Sequence, residues 1–255
     1  MKAALRQGRR VYGTMFGRTR AQQGDEALPG LKLDYLIVDN EHAPYSRAET
    51  ADWCRRLAGL GIVPVVRVPI PASHYITMAL DGGAQGILAP YVERVEQVQE
   101  AVGACKWLPL KGEALERAVR EGTFPSAETR AHLEQRNQNH LLVIGIESVA
   151  AMERLEELLS VPGVDAAFVG PNDLSIQLGV PAQYDHPRYV EAARHIHQVC
   201  RRRGVPLVIH FFSREMAEPF LREGLHFVLF GTDRQGLPGL QPHFAFLRGV
   251  PAQAA

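Results

Sequence analysis

Seven ionisable side chains stand where short apolar runs give way to polar residues: Glu41 and His42 in LIVDNEH, Arg67 in VVRVP, Glu147 in VIGIES, Asp173 in FVGPNDLS, His210 in LVIHF and Asp233 in FGTD. Each is an apolar segment ending in a charge, the pattern of a buried strand emerging into solvent. In α/β folds the carboxyl ends of the strands collect binding groups, because the loops there vary over a rigid scaffold. Glu147 and Asp173, two carboxylates with no cysteine beside them, suit a hard, oxygen-loving divalent ion that keeps some waters for a substrate to displace. Arg67 beside such an ion pairs with a carboxylate or a developing oxyanion. His42, an imidazole that can both donate and accept a proton, completes an acid–base set. A structural role competes for each: Glu147 and Asp173 both stand where a helix start favours a carboxylate, and Arg67 before Pro69 can pack its stem at the surface.

The elements that would position these groups alternate regularly. Eight short apolar strands are expected near Val11 to Phe16, Leu33 to Val38, Val63 to Val68, Gln85 to Ala89, Leu141 to Ile146, Ala166 to Val169, Pro206 to Ile209 and Phe227 to Phe230. Several are apolar throughout, as strands buried on both faces must be. Amphipathic helices separate them. Ser46 with Glu49 forms a capping box ahead of Trp53 and Leu57, and Pro187, Arg201 to Arg203 and Gly204 give a later helix its start, basic end and stop. Eight βα units in about 250 residues is the size and rhythm of a TIM (β/α)8 barrel, here one α/β domain over residues 1–255. The main irregularity is a long polar stretch, Lys106 to His140, between the fourth and fifth strands, with expected helices at Glu113 to Glu121 and Ser126 to Asn137 serving as a lid or a subunit contact.

Bulk composition narrows the partners. The 255 residues are 46% hydrophobic and 22% charged, and 28 Lys plus Arg balance 28 Asp plus Glu. This balance argues against nucleic acid or an anionic membrane and for a small charged metabolite. No apolar run reaches the ~18 residues of a membrane span, and Arg6, Arg9 and Arg10 are followed by no apolar signal core. Cys54, Cys105 and Cys200 are far apart and odd in number, which fits a reducing cytoplasm rather than a disulfide framework or structural zinc. His195 and His197, beside Arg194 and Arg201 to Arg203, read as a solvated helix face, and Lys106 and Lys111 end no strand and so are poor Schiff-base candidates.

DNEHAPY, VVRVP, LDGGAQGILAP, the Glu of IGIES and FVGPNDLS follow one another in an order and spacing that resembles the HpcH/HpaI aldolase/citrate lyase family, over about Tyr12 to Asp233. The resemblance implies a metal-dependent class II pyruvate aldolase that reversibly cleaves a 4-hydroxy-2-oxo acid to pyruvate and an aldehyde. It implies Glu147 and Asp173 as ligands of Mg²⁺ or Mn²⁺, with Co²⁺ or Zn²⁺ as alternatives. Arg67 would hold the keto oxygen and stabilise the enolate, and His42 would handle the proton of the 4-hydroxyl, with Asp39 supporting it. Gly170, Pro171 and Asn172 match the turn that meets the substrate carboxylate through backbone N–H groups. Asp81, in LDGGAQG, matches a residue contributed by a neighbouring subunit, so a homo-oligomer, trimer or hexamer, is implied. The physical logic agrees, since breaking the carbon–carbon bond leaves an enolate that needs a Lewis acid and a guanidinium beside it.

The chain departs from the family pattern in places. Gly145 stands where many members carry glutamine, KWLPLKGEALERAVREG replaces the usual stretch after the fourth unit, and residues 18–31 look looser than the usual first helix. Two other readings compete. A citrate-lyase-like or malyl-CoA-lyase-like enzyme would share the carboxylate pair and need a basic groove for CoA phosphates, to which Arg18 and Arg20 would contribute. A barrel that binds a keto acid without turnover would have no reason to keep His42, Arg67, Glu147 and Asp173 together. His210 and Asp233 share the face but belong to no motif, and are expected at most to back the residues that touch substrate.

Overall fold

The structure, a computed structural model, describes residues 1–18 and 28–252. Eight parallel strands close into a barrel in sequential order: β1 (Val11–Phe16), β2 (Tyr35–Asp39), β3 (Val63–Arg67), β4 (Gly86–Ala89), β5 (Leu141–Gly145), β6 (Ala166–Val169), β7 (Leu207–Phe211) and β8 (Phe227–Thr232). The expected strands are all present. The shifts at their ends matter, however: β2 runs through Asp39 and β7 through Phe211, so both carry a polar residue still on the strand.

Strand alternation then sorts every side chain into one of two layers. Leu36, Val38, Val66, Ile87, Ile144, Ile209 and Phe230 point outward into the layer shared with the helices. Met15, Tyr35, Ile37, Val65, Leu88, Val143, Phe168, Val208 and Leu229 fill the barrel interior. Continuing the same alternation by one step brings Gly17, Asp39, Arg67, Gly145, Gly170, His210 and Gly231 to the interior at the carboxyl end. Four of these seven are glycine, and a barrel whose last layer lacks side chains opens into a cavity instead of closing as a core.

The helices carry their expected ends. Ser46 and Glu49 form the reciprocal capping box of the helix Arg47–Gly59, and Gly204, at φ 66°, ends Pro187–Arg203 in the left-handed conformation that glycine adopts cheaply. Between β4 and β5 lie the helices Val95–Lys106, Gly112–Glu121 and Ala127–Asn137. Phe124 and Trp107 meet edge to face at 4.8 Å, and the Asn137 side-chain amide donates to the Lys106 and Leu108 carbonyls at 2.9 and 2.8 Å. These contacts hold the segment on the flank of the barrel, and none of its residues lines the mouth. At the amino end of the barrel Asp165 pairs with both Lys106 and Lys2, while Lys2 also donates to the His140 carbonyl at 3.1 Å. Among the described residues no helix is long and apolar enough to cross a membrane.

One contact tests the interior packing. A Cβ on Gly13 would stand 2.4 Å from the ring of Tyr35, which is fully buried and whose hydroxyl donates to the Val228 carbonyl at 2.8 Å. Gly13→Ala should lower the unfolding free energy in urea by about 1–3 kcal/mol through overpacking. Gly59→Ala, where nothing lies within 4 Å, should not.

Candidate active site

The barrel mouth is a cavity of about 450 Å³ lined from seven of the eight strand ends, β4 excepted, among others by Asp39, His42, Arg67, Glu147, Asp173 and His210. Asp39 and Arg67 are direct partners in the β2–β3 register, and their side chains meet inside the barrel. Arg67 Nε donates to Asp39 Oδ1 at 2.8 Å and Nη2 to Oδ2 at 2.6 Å, a bidentate pair, while Nη1 lies 2.9 Å from Glu41 Oε2. Burial works against charge on both partners. Burial raises the Asp39 carboxyl, but the Arg67 fork and two backbone N–H groups outweigh it and hold the acid below its usual range. Burial likewise lowers Arg67, and Asp39, Glu41 and Glu147 more than restore it.

His42 sits on the rim, its side chain 58% exposed, with Nε2 3.6 Å from Glu41 Oε2. Asp39 supports this histidine differently from expectation. Its Oδ1 accepts the backbone N–H groups of Glu41 and His42 at 3.0 and 3.3 Å, so it fixes the loop, and the carboxylate beside the imidazole is that of Glu41. Glu41 was visible in the sequence as a strand-end acid, but its bridge between Arg67 and His42 depends on the turn after β2. Burial raises its carboxyl above the ordinary range, with Arg67 and His42 opposing.

Glu147 is 2% exposed and lies over the two interior glycines. A Cβ on Gly170 would stand 2.0 Å from Glu147 Oε1, and one on Gly145 would stand 2.6 Å from Oε2. The residue at 145 is therefore part of the carboxylate's cradle, and the space a longer side chain would take is filled by Glu147 itself. Oε2 also accepts the Tyr91 N–H at 2.7 Å, from a residue held at φ 51°. No sequence signal marked Tyr91, whose role is backbone geometry. Among the described residues no cation forms an ion pair with Glu147, and burial pushes its carboxyl up to about 8.

Asp173, half-buried in the first turn of the helix Pro171–Gln177, meets no hydrogen-bonding or ion-pair partner among the described residues. Two carboxylates on neighbouring strand ends, one buried without a cation, have the donor chemistry of a divalent-ion site. Among the described residues no group of three His, Cys, Asp or Glu is placed to hold a metal.

The remaining expected residues separate into two groups. Gly170, Pro171 and Asn172 line the cavity beside Asp173. Pro171 has no N–H, so the backbone donors of this turn are those of Gly170 and of the residues after Pro171, and the Asn172 Oδ1 accepts the Tyr184 hydroxyl. Asp81, by contrast, is exposed at the carboxyl end of the helix Ser73–Asp81 and does not line this mouth. Asp233 Oδ2 accepts the backbone N–H groups of Gly17 and Arg18 at 3.2 and 2.7 Å, joining β8 to β1. Arg18 and Arg234 reach the rim, whereas Arg20 lies outside the described residues. His197 corrects the expectation of a solvated face: it is 4% exposed and packs 6.2 Å from the ring of Phe220, because its helix turns it toward Arg214–Arg222 while His195 faces solvent.

Two outcomes follow from this geometry. Asp39→Ala should cost about 3–5 kcal/mol in chemical unfolding, since it leaves the Arg67 guanidinium buried without its main partner. His210, fully buried, has its ring pushed down to about 4. As pH falls below the unfolded value near 6.5 the unfolded chain takes the proton first, so this stability is complete above pH ~6.5 and declines toward pH 4 by up to about 3 kcal/mol. Urea unfolding at pH 7 and pH 4.5 should therefore show a smaller acid loss in His210→Leu than in the parent chain.

Comparison with known proteins follows the same residues. The family model described as HpcH/HpaI aldolase/citrate lyase matches residues 14–237. A 4-hydroxy-2-oxo-heptane-1,7-dioate aldolase of Escherichia coli is 32% identical over 236 residues, covering 91% of this chain and 88% of the relative. A hydroxypyruvate/pyruvate aldolase of Deinococcus radiodurans is 34% identical over 239 residues, covering 91% and 83%. The crystal structure of an HpcH/HpaI aldolase from Desulfitobacterium hafniense DCB-2 superposes with a TM-score of 0.80 at 26% identity, covering 100% of this chain and 99% of that one. The motifs at the strand ends, the closed barrel that presents them and the match across most of its length place this chain in the HpcH/HpaI aldolase/citrate lyase family.

Proposed function

We propose that this protein is a carbon–carbon lyase, a class II aldolase that reversibly cleaves a 4-hydroxy-2-oxo acid to pyruvate and an aldehyde. The observation that carries the reading is Glu147: a buried carboxylate without a paired cation, next to the unpartnered Asp173 and across the mouth from a fixed guanidinium. The chain's relatives are named aldolases, which supports the same reaction class.

Arg67 has five N–H groups, and its contacts with Asp39 and Glu41 use three of them. The other two remain for the 2-oxo oxygen of a substrate, and the carboxylates around the guanidinium keep it charged and immobile, so no reorganisation is needed when negative charge reaches that oxygen. His42, exposed on the rim with Glu41 behind it, takes the proton of the 4-hydroxyl. The C3–C4 bond then breaks, its electron pair forming the enolate of pyruvate, and the aldehyde departs. Protonation at C3 completes the cleavage. Gly170, Pro171 and Asn172 form the turn that receives the substrate carboxylate. A divalent ion held by Glu147 and Asp173, Mg²⁺ or Mn²⁺ by their oxygen chemistry, would supply Lewis-acid stabilisation of the enolate charge.

Asp81, remote from its own mouth, is assigned to the site of a neighbouring copy in a homo-oligomer. The free, buried Cys54, Cys105 and Cys200 suit a reducing cytoplasm.

The test follows the pyruvate methyl protons by NMR in D₂O with Mg²⁺ or Mn²⁺. Metal-dependent exchange, abolished by EDTA and in Glu147→Ala, is expected. Exchange that persists without metal and in Glu147→Ala would overturn the assignment, as would no exchange despite demonstrable pyruvate binding. His42→Ala should lower the rate of aldehyde release from a 4-hydroxy-2-oxo acid by about 10²–10⁴-fold, the ordinary contribution of a positioned acid–base group.

A further inference from the structure

His210 is buried in the interior of the barrel at the top of β7, and the proposed reaction gives it no task. Its Nε2 lies 3.0 Å from the Gly231 carbonyl oxygen. A carbonyl oxygen only accepts, so Nε2 carries the hydrogen, and in the neutral ring Nδ1 is then a bare acceptor. Burial, pushing the ring down to about 4, keeps it in that neutral form at physiological pH. No described residue donates to Nδ1. It is also absent from the buried side-chain atoms without a partner, which among the described residues are Trp53 Nε1, Asn137 Oδ1 and the Tyr189 hydroxyl, so its access is to the cavity that His210 lines. Phe212 packs on the imidazole at 4.5 Å and fixes the ring plane.

The position of the ring says which part of a substrate it meets. The groups assigned to the pyruvate half, Arg67, Glu147 and the Gly170–Asp173 turn, come from β3, β5 and β6. The cavity continues past them along β7, β8 and β1, lined by His210, Phe212, Thr232 and Met15. An aldehyde half running from C4 has this sector to enter, where Arg18, Asp233, Arg234 and Gln235 stand toward the rim and His210 is the buried acceptor below them, beside Met15 and Phe212.

We propose that His210 is a specificity residue that accepts a hydrogen bond from a hydroxyl on the aldehyde half, so that the enzyme prefers hydroxylated aldehydes to their deoxy analogues. This rests on the aldolase reading above. An apolar analogue would displace the hydroxyl and leave Nδ1 buried without a donor, which is the situation in which polar sites discriminate most.

The experiment measures kcat/KM for aldol addition of pyruvate to glyceraldehyde and to propanal, which share a three-carbon chain, with the parent protein, His210→Leu and His210→Gln. The parent should favour glyceraldehyde, His210→Leu should reduce that ratio by about tenfold, the worth of one neutral hydrogen bond and its unmade counterpart, and His210→Gln should retain most of it. Gln can donate to the Gly231 carbonyl with its amide and accept with its oxygen, so it separates hydrogen bonding from shape. An unchanged ratio in His210→Leu, or a ratio lost equally in His210→Gln, would overturn the proposal. So would a parent enzyme that exchanges the pyruvate methyl protons yet shows no preference between the two aldehydes. Absence of that exchange in the parent counts instead against the aldolase reading itself.

Discussion

The bidentate pair between Arg67 and Asp39 is the contact around which the mouth is arranged. It arises because β2 and β3 place the two residues side by side and the alternation of both strands turns them inward. A guanidinium alone at this depth would be too costly to bury, and a carboxylate alone would take up a proton, so each is charged there because of the other. Glu41 then closes on the remaining edge of the fork and reaches His42, which makes the position of the rim histidine depend on the same arginine. Asp39 also holds the backbone of that loop, so one carboxylate fixes both the guanidinium and the turn that carries the histidine.

The opposite side of the mouth is built on absence of side chains. Gly145 and Gly170 end their strands facing inward, and Glu147 lies in the space they leave, held from behind by the Tyr91 N–H. The result is a deeply buried carboxylate whose burial raises its carboxyl well above the ordinary range. On the neighbouring strand β7 the same last layer continues with His210, whose ring is also kept neutral by burial. Two charged residues, one histidine and four glycines thus make up this last layer of strand ends.

The amino end of the barrel carries a different polar network. Lys2 and Lys106 converge on Asp165, and through the His140 carbonyl they tie the first helix and the helix Val95–Lys106 to the start of β5 and β6. Its groups hold one another: both lysines reach the Asp165 carboxylate and the His140 carbonyl. This separation of a bound, closed end from an open, charged end is the division of labour expected of the fold.

Much of this architecture was legible in the chain. Eight apolar runs at βα spacing, capping residues and a charge at the end of most runs determined the barrel and the face on which Glu41, His42, Arg67, Glu147, Asp173 and His210 assemble, because period-2 and period-3.6 patterns are local and survive in any packing. What the chain could not disclose were relations across strands: that Asp39 grips Arg67 and the loop rather than the imidazole, that Gly145 makes room for Glu147, that His197 is buried, and that the polar stretch after Lys106 lies on the flank. Those depend on register and on helix rotation, and a shift of one residue in either moves a side chain to the other face. The sequence by itself determined which chemical groups are present and on which end of the barrel they lie. Only the tertiary structure decided which of them touch, and therefore which stay charged, since a buried group's charge is set by its neighbours in space and not along the chain.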